Sequence, residues 1–70
     1  MSEKGASILY ITAQIPYYHN RFDEARPRLE QVVEQYRTSI EASYAAGLLV
    51  DSYLAEGNYE KVRYYTKTFS

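Results

Sequence analysis

Apolar residues recur at helical spacing along the whole of this 70-residue chain. Four stretches place them three or four residues apart, as on one face of an α-helix. No stretch shows the sustained alternation of apolar and polar residues that half-buried strands require. The spacing therefore predicts an all-α fold with helices over residues 6–19, 22–36, 39–56 and 59–69. The first of these helices has a wide apolar face, formed by Ile8, Leu9, Ile11, Thr12, Ile15 and Tyr18.

Residues that favour turns separate the four stretches. Asn20 tolerates the left-handed backbone that ends a helix, and Gly57 favours it more strongly. Asn58 is of a type preferred as the N-cap of a following helix. Thr38, followed three residues later by Glu41, is typical of a capping box and predicts the start of the third helix.

The two prolines test this division into helices. Pro27 lies early in the second helix, where it removes at most one hydrogen bond, to the Asp23 carbonyl. Pro16 lies inside the first helix and leaves the Thr12 carbonyl without its intrahelical donor. We expect a kinked but continuous first helix. The alternative is that this helix ends near Ile15 and that Pro16 begins a turn.

The chain also carries an internal repeat of residue classes. A shift of 37 residues aligns turn, aromatic, acidic and core positions in the pairs Asn20/Gly57, Phe22/Tyr59, Asp23/Glu60, Ala25/Val62, Arg26/Arg63, Val32/Phe69 and Ile11/Leu48. Among these pairs only Arg26/Arg63 is an identity. Helix–turn–helix units with such a period are typical of α-solenoids. We therefore predict a single domain over residues 1–70, with one repeat over about 6–37 and another over about 38–70, or a piece of a longer array.

The repeated segments resemble the tetratricopeptide repeat (TPR) family. Residues 17–25 and 51–62 are similar to its stretch of aromatic, Gly-containing turn, aromatic, two acids and Ala. Residues 25–30 are similar to its Ala-Leu-Pro-x-Phe-Glu variant. Residues 34–39 resemble the Tyr-Pro-x-Ser link of a longer-repeat subclass that is frequent in bacterial cell-envelope proteins. The resemblance covers about residues 6–70 and implies two stacked antiparallel helix pairs that bind proteins. The departures from the family pattern are Pro16, Val50, Val62 and Arg37.

Composition argues against several classes of function. The formal net charge of −1 disfavours a polybasic nucleic-acid or membrane binder. The chain has no cysteine and a single histidine, His19, which excludes cysteine-based and multi-histidine metal sites. His19 is also the only candidate base for a catalytic triad, and it lies in a predicted polar turn. We therefore expect no enzyme activity, no metal site and no cofactor.

Nucleic-acid binding and membrane insertion are not expected either. A small basic cluster near the start of the second helix consists of Arg21, Arg26 and Arg28. Asp23, Glu24 and Glu30 are interleaved with it, so the local charge nearly cancels and a mixed, solvated face is the better interpretation. No apolar run approaches the ~20 residues that a membrane span needs.

The nine tyrosines are the most unusual feature of the composition, and the resemblance to the TPR family implies a role for some of them. In TPR proteins the first helices of successive repeats line a concave face that binds a protein or peptide partner. Tyrosine suits such a face because its ring is large, stiff and apolar while its tip is polar. The predicted partner-binding residues are Tyr10, Gln14, Tyr17, Tyr18, Tyr44 and Asp51.

Packing is the alternative role for these tyrosines. Tyr10, Tyr17 and Tyr44 fit either a groove or a helix interface, whereas Phe22, Tyr53 and Tyr59 are expected in the core. Gly47, on the same face of the third helix, leaves room for a partner side chain or simply lowers helix propensity by about 1 kcal/mol.

Aromatic residues in the last helix predict a second interaction surface. Solenoids usually need about three repeats and a polar terminal cap, and this chain has two repeats. Tyr64 or Tyr65 and Phe69 are expected on an outer face that no further helix covers. Self-association through Tyr64, Tyr65 and Phe69 is therefore the alternative function, a structural homo-oligomerisation module.

Localisation depends on the origin of the chain. If Met1 is the native start, the polar N-terminus without a signal peptide implies the cytoplasm. If the sequence is a piece of a longer secreted protein, the resemblance to the envelope subclass points to the periplasm.

Overall fold

The computed structural model describes residues 3–69, and the side chains of residues 5–68. It contains the helices α1 (Glu3–Tyr18), α2 (Phe22–Gln35), α3 (Ile40–Glu56) and α4 (Tyr59–Phe69), with no strand among residues 3–69. Each helix packs against the next along the chain, and α1 also contacts α3. The predicted all-α fold of two stacked antiparallel helix pairs is thereby confirmed.

The turns form where the local side chains favour them. Asn20 has a φ of 62° and Gly57 a φ of 80°, so both adopt the left-handed backbone expected at these helix ends. The N–H groups of Gly57 and Asn58 donate to the carbonyls of Leu54 and Tyr53, at 3.0 and 2.9 Å, which is the Schellman pattern. The Oδ1 atom of Asn58 then accepts from the N–H of Lys61 at 3.3 Å and caps α4 as expected.

The predicted capping box at Thr38 and Glu41 is wrong by one residue. Ser39 is the N-cap of α3, and its Oγ accepts from the N–H of Ala42 at 3.1 Å. The same hydroxyl donates to the Tyr36 carbonyl at 2.6 Å, so Ser39 both closes the preceding turn and caps the helix. The Glu41 carboxylate instead accepts from Ser7 at 2.8 Å, which joins α3 to α1.

Pro16 lies inside α1, which continues to Tyr18. The expected continuity is confirmed, and the alternative of a helix end near Ile15 is wrong. The Thr12 carbonyl, which Pro16 deprives of its intrahelical donor, accepts from Nη1 of Arg28 on α2 at 3.0 Å. A cation from the neighbouring helix therefore replaces the missing backbone donor.

The wide apolar face of α1 points away from the core. Ala6 and Ala13 of this helix are 0% exposed, and Leu9 packs against the core cluster that includes Ala13. Ile8, Ile11, Ile15 and Tyr18 are 56–66% exposed. The small alanines let α1 approach its neighbours closely, and this orientation leaves the isoleucines outside.

Leu29, Val32 and Leu49 form the fully buried centre between the helix pairs. Tyr53, expected in the core, is 7% exposed and confirms that expectation. Tyr59 is 61% exposed, so its predicted core position is wrong. It is the first residue of α4 and lies beyond the end of α3, where no helix covers it.

The aromatic residues expected in the core also include Phe22, which is only half-buried. Its ring lies edge-on to Tyr17, with the centroids 5.3 Å apart. Phe22 begins α2 and Tyr17 lies near the end of α1, so this pair packs at the turn between the two helices rather than in the core.

Polar contacts from α2 connect the two helix pairs. The Glu30 carboxylate accepts from the hydroxyls of Tyr53 and Tyr65, at 2.9 and 3.3 Å, and the two rings stack with centroids 6.2 Å apart. One turn earlier, Arg26 donates to Ser52 Oγ at 3.0 Å and its guanidinium lies 4.5 Å from the Tyr53 ring centroid. Both helices of the second pair, α3 and α4, are thus hydrogen-bonded to side chains of α2.

We predict that alkaline pH destabilises the fold through this cluster. Burial, followed by the Glu30 carboxylate, raises the pKa of Tyr53 from 10.0 to about 12, and burial also raises the pKa of Tyr65. The folded state thus holds these protons more tightly than the unfolded chain does. The resulting stability is complete below pH 10.0 and is lost as the pH rises towards about 12.

Urea unfolding followed by circular dichroism across this pH range measures the effect. Tyr53→Phe is the matched variant, because it keeps the ring and removes the titrating hydroxyl. It should be less stable than the natural chain at neutral pH and should lose less stability as the pH rises. An identical pH dependence in both proteins would contradict the assignment.

The Arg28–Thr12 hydrogen bond gives a second prediction. Arg28→Met keeps much of the apolar stem and removes the donor, and we expect it to lower the free energy of unfolding by about 0.5–1 kcal/mol. In a Pro16→Ala background the residue-16 amide supplies the missing donor, so the same change should cost close to nothing. A double-mutant cycle by chemical denaturation checks this, and an equal cost in both backgrounds would exclude the proposed compensation.

Candidate binding groove

An open groove lies between α1, α3 and the second half of α4. Its volume is about 570 Å³, within the range of about 300–1,000 Å³ that is usual for ligand clefts. We call it the binding groove. Its lining consists of Tyr10, Ser43, Tyr44, Ala46, Gly47, Leu48, Val50, Asp51, Tyr65 and Thr66.

Gly47 forms the open floor of the binding groove. It lies in the middle of α3, where a glycine costs about 1 kcal/mol relative to alanine. A Cβ atom added to Gly47 would meet no atom within 4 Å, so packing does not require the glycine. Tyr44 and Asp51, three residues before and four after it, lie on the same helix face. Gly47 thus keeps open the space between an aromatic ring and a carboxylate.

Two tyrosines from different helices, α1 and α3, form one wall of the binding groove. The ring centroids of Tyr10 and Tyr44 are 6.0 Å apart and their planes are tilted by 35°. Tyr44 is 53% exposed, whereas Tyr10 is half-buried. Burial, followed by the neighbouring Tyr18 and Tyr44, raises the pKa of Tyr10 above its usual 10.0. Its hydroxyl therefore remains protonated at neutral pH and can donate a hydrogen bond.

The charge of the binding groove is negative. Asp51 is the only charged residue among the groove-lining residues, and it is exposed. Its field reaches the end of α1, because after burial it is the main cause that raises the pKa of Tyr17. The arrangement suits a ligand that carries an apolar group for the floor and a cation for Asp51.

The structure brings together half of the predicted partner-binding residues. Tyr10, Tyr44 and Asp51 line the binding groove. Gln14 is half-buried on α1 outside this lining. Tyr17 packs edge-on against Tyr18, with centroids 5.2 Å apart, and Tyr18 is 66% exposed beside the isoleucines of α1.

Several groove-lining residues were not predicted from the sequence. Ser43, Leu48 and Val50 come from α3, and Tyr65 and Thr66 come from α4. Ser43 lies four residues before Gly47, so helical spacing alone places it beside the groove floor. The α4 residues carry no such local signal, because the side of α4 that faces inward depends on contacts distant in sequence, such as the hydrogen bond from Tyr65 to Glu30.

The predicted self-association residues of α4 have separate positions. Tyr64 is 55% exposed, as expected for an outer face. Of the two alternatives for that face, Tyr65 is the one turned inward: it is 5% exposed, with its hydroxyl donating to Glu30 and its ring stacked on Tyr53, so it is not available for self-association. The side chain of Phe69 lies outside the described part of the chain.

Other kinds of site were examined over the same residues. His19 is exposed in the α1–α2 turn, where its Nδ1 donates to the Ile15 carbonyl at 2.8 Å. Among the described side chains, those of residues 5–68, no three metal-binding side chains come together. Within residues 3–69 no helix combines the length and apolarity that crossing a membrane requires.

Comparisons with protein-family models, curated proteins and solved structures find no match for this chain. The interpretation of the binding groove therefore rests on its own geometry and chemistry.

Gly47→Ala should stabilise the protein. We expect the free energy of unfolding to rise by about 1 kcal/mol, because the new Cβ meets no atom within 4 Å and the helix gains propensity. Gly57→Ala is the contrasting control: its φ of 80° disfavours a side chain, so it should lose about 1 kcal/mol. Urea denaturation measures both. A destabilised Gly47→Ala would show that the glycine serves the fold rather than the groove.

Proposed function

We propose that the chain is a non-catalytic protein-interaction module of the TPR type, which binds an extended segment of a partner protein in the binding groove. The 37-residue repeat and the stacked helix pairs support the TPR assignment. The likeness of residues 34–39 to the longer-repeat link supports a bacterial cell-envelope subclass. The groove lies where the first helices of the two repeats, α1 and α3, face one another.

The observation that carries this proposal is the open floor at Gly47. A glycine in the middle of α3 weakens the helix and relieves no clash, so its benefit lies in the space above it. That space is bounded by Tyr44 on one side and Asp51 on the other. An aliphatic side chain fits the floor, and a lysine or arginine beside it pairs with Asp51.

A homo-oligomerisation role through α4 has weaker support. Of the three residues that suggested this role, Tyr65 is buried and Tyr64 is exposed. The side chain of Phe69 lies outside the described part of the chain. One exposed aromatic residue is ordinary for a protein surface.

Selection from a displayed library of random peptides tests the proposal. The natural chain is the bait, and Gly47→Leu, which fills the groove floor, is the counter-selection bait. We expect enriched peptides to share an aliphatic residue close to a lysine or arginine. Failure to enrich any sequence, or enrichment of sequences that bind Gly47→Leu equally well, would contradict the proposal.

Substitutions then locate the binding of one such synthetic peptide. Tyr44→Ala should weaken binding about tenfold, as the loss of a buried aromatic contact does. Asp51→Asn should weaken it and reduce its dependence on salt. Tyr59→Ala is the matched control, because Tyr59 is similarly exposed, at 61% against 53%, but lies outside the groove. Isothermal titration calorimetry measures all three, and equal losses for Tyr44→Ala and Tyr59→Ala would exclude the groove.

A further inference from the structure

A second apolar surface lies on the outer side of α1. Ile8, Ile11, Ile15 and Tyr18 are 62%, 56%, 59% and 66% exposed, and we call them the α1 stripe. No charged residue occurs in α1 from position 5 to position 18. Water therefore faces a continuous, uncharged row of large side chains, which is typical of a surface that another molecule covers.

The spacing of the α1 stripe is that of a helix-pairing seam. Its residues follow one another after three, four and three positions, the a and d positions of a heptad. Side chains with this spacing insert between those of a facing helix over about 15 Å, the rise of ten residues. The partner that fits this row best is therefore another α-helix with an apolar seam.

The internal repeat shows that this face of a helix can be an interface. A shift of 37 residues places Ile8 on Ala45 and Ile15 on Ser52. Ala45 and Ser52 are 0% and 2% exposed, inside the chain, where Ser52 meets Arg26 of α2. Two positions of the α1 stripe thus correspond to buried small residues, whereas Ile11 corresponds to Leu48, which lines the binding groove, and Tyr18 to the exposed Ala55.

Head-to-tail stacking of copies would place α4 of one copy on the α1 stripe of the next, as α2 lies on α3. The α4 residues equivalent to Arg26, Leu29 and Glu30 are Arg63, Thr66 and Lys67, all of them exposed. This arrangement would bury two cations against isoleucines, and α1 supplies no counter-charge from position 5 to position 18, which is unfavourable. The α4 surface is therefore a poor partner for the stripe.

We infer that a second copy of this chain covers the α1 stripe, by packing its own stripe against it about a twofold axis. Such an interface is self-complementary: each isoleucine row meets an identical row, and the stripe itself contains no charged residue. Association about a twofold axis stops at the dimer, because each stripe is then covered. Four side chains of one helix make a small interface against the standard ~1,600 Å², so we expect a weak dimer.

The dimer leaves the binding groove open. The groove is lined by Tyr10 and by residues of α3 and α4, none of which belongs to the α1 stripe. A dimer would present two grooves to its partner, and its formation does not depend on the proposed binding function.

Sedimentation equilibrium of the full chain, from micromolar to millimolar concentration, tests this inference. The mass should rise from 8.2 kDa to twice that value and no further. Ile11→Lys should raise the dissociation constant at least tenfold. Tyr64→Lys is the control: Tyr64 has a similar exposure of 55% but lies on α4, and its change should leave the dimer intact. Circular dichroism checks that both variants keep their helices.

Cross-linking gives an independent readout, because the natural chain has no cysteine. Air oxidation of a mixture of the Ile11→Cys and Ile15→Cys variants should give disulfide-linked dimers, whereas Tyr64→Cys should give few. Three outcomes would overturn the inference: a monomer at every concentration, assemblies that grow beyond the dimer, or a dimer that Tyr64→Lys dissolves and Ile11→Lys does not.

Discussion

Arg26 and Glu30, one turn apart on α2, connect the two halves of the structure. Glu30 receives the hydroxyls of Tyr53 and Tyr65, and Arg26 binds Ser52 and covers the Tyr53 ring. The side chain of Arg26 is only 13% exposed and Ser52 is 2% exposed, so their hydrogen bond is largely shielded from water. These contacts fix the rotation of α3 and α4, and with it the face of α3 that opens into the binding groove.

The position of α1 depends on a different set of contacts. Ala6 and Ala13 let it lie close to its neighbours, Ser7 bonds to Glu41 of α3, and Arg28 bonds to the Thr12 carbonyl. This placement sets Tyr10 opposite α3 and turns the isoleucines outward. One helix therefore contributes to two surfaces of opposite chemistry: a negatively charged aromatic groove and an uncharged apolar stripe.

Local chemistry explains which features could be predicted from sequence. The helix ends at Asn20 and Gly57 follow from backbone preferences, and helical spacing places Tyr44 and Asp51 on one face of α3. Which face of α1 packs inward could not be predicted. Hydrophobicity favours the burial of isoleucine over alanine, whereas close packing against the neighbouring helices favours the smaller alanine. The burial of Tyr65 was missed for a related reason: its hydrogen-bond partner, Glu30, is 35 residues away.

The two surfaces can be distinguished by one NMR measurement of the natural chain. A soluble gadolinium chelate broadens the signals of solvent-exposed protons, and its effect is compared at millimolar and at low micromolar concentration. We predict that the methyl groups of Ile11 and Ile15 are protected at the higher concentration and exposed at the lower. The ring protons of Tyr44 should be exposed at both. Protection of Tyr44 in place of the isoleucines, or equal exposure of all three residues at both concentrations, would contradict the assignment of the two surfaces.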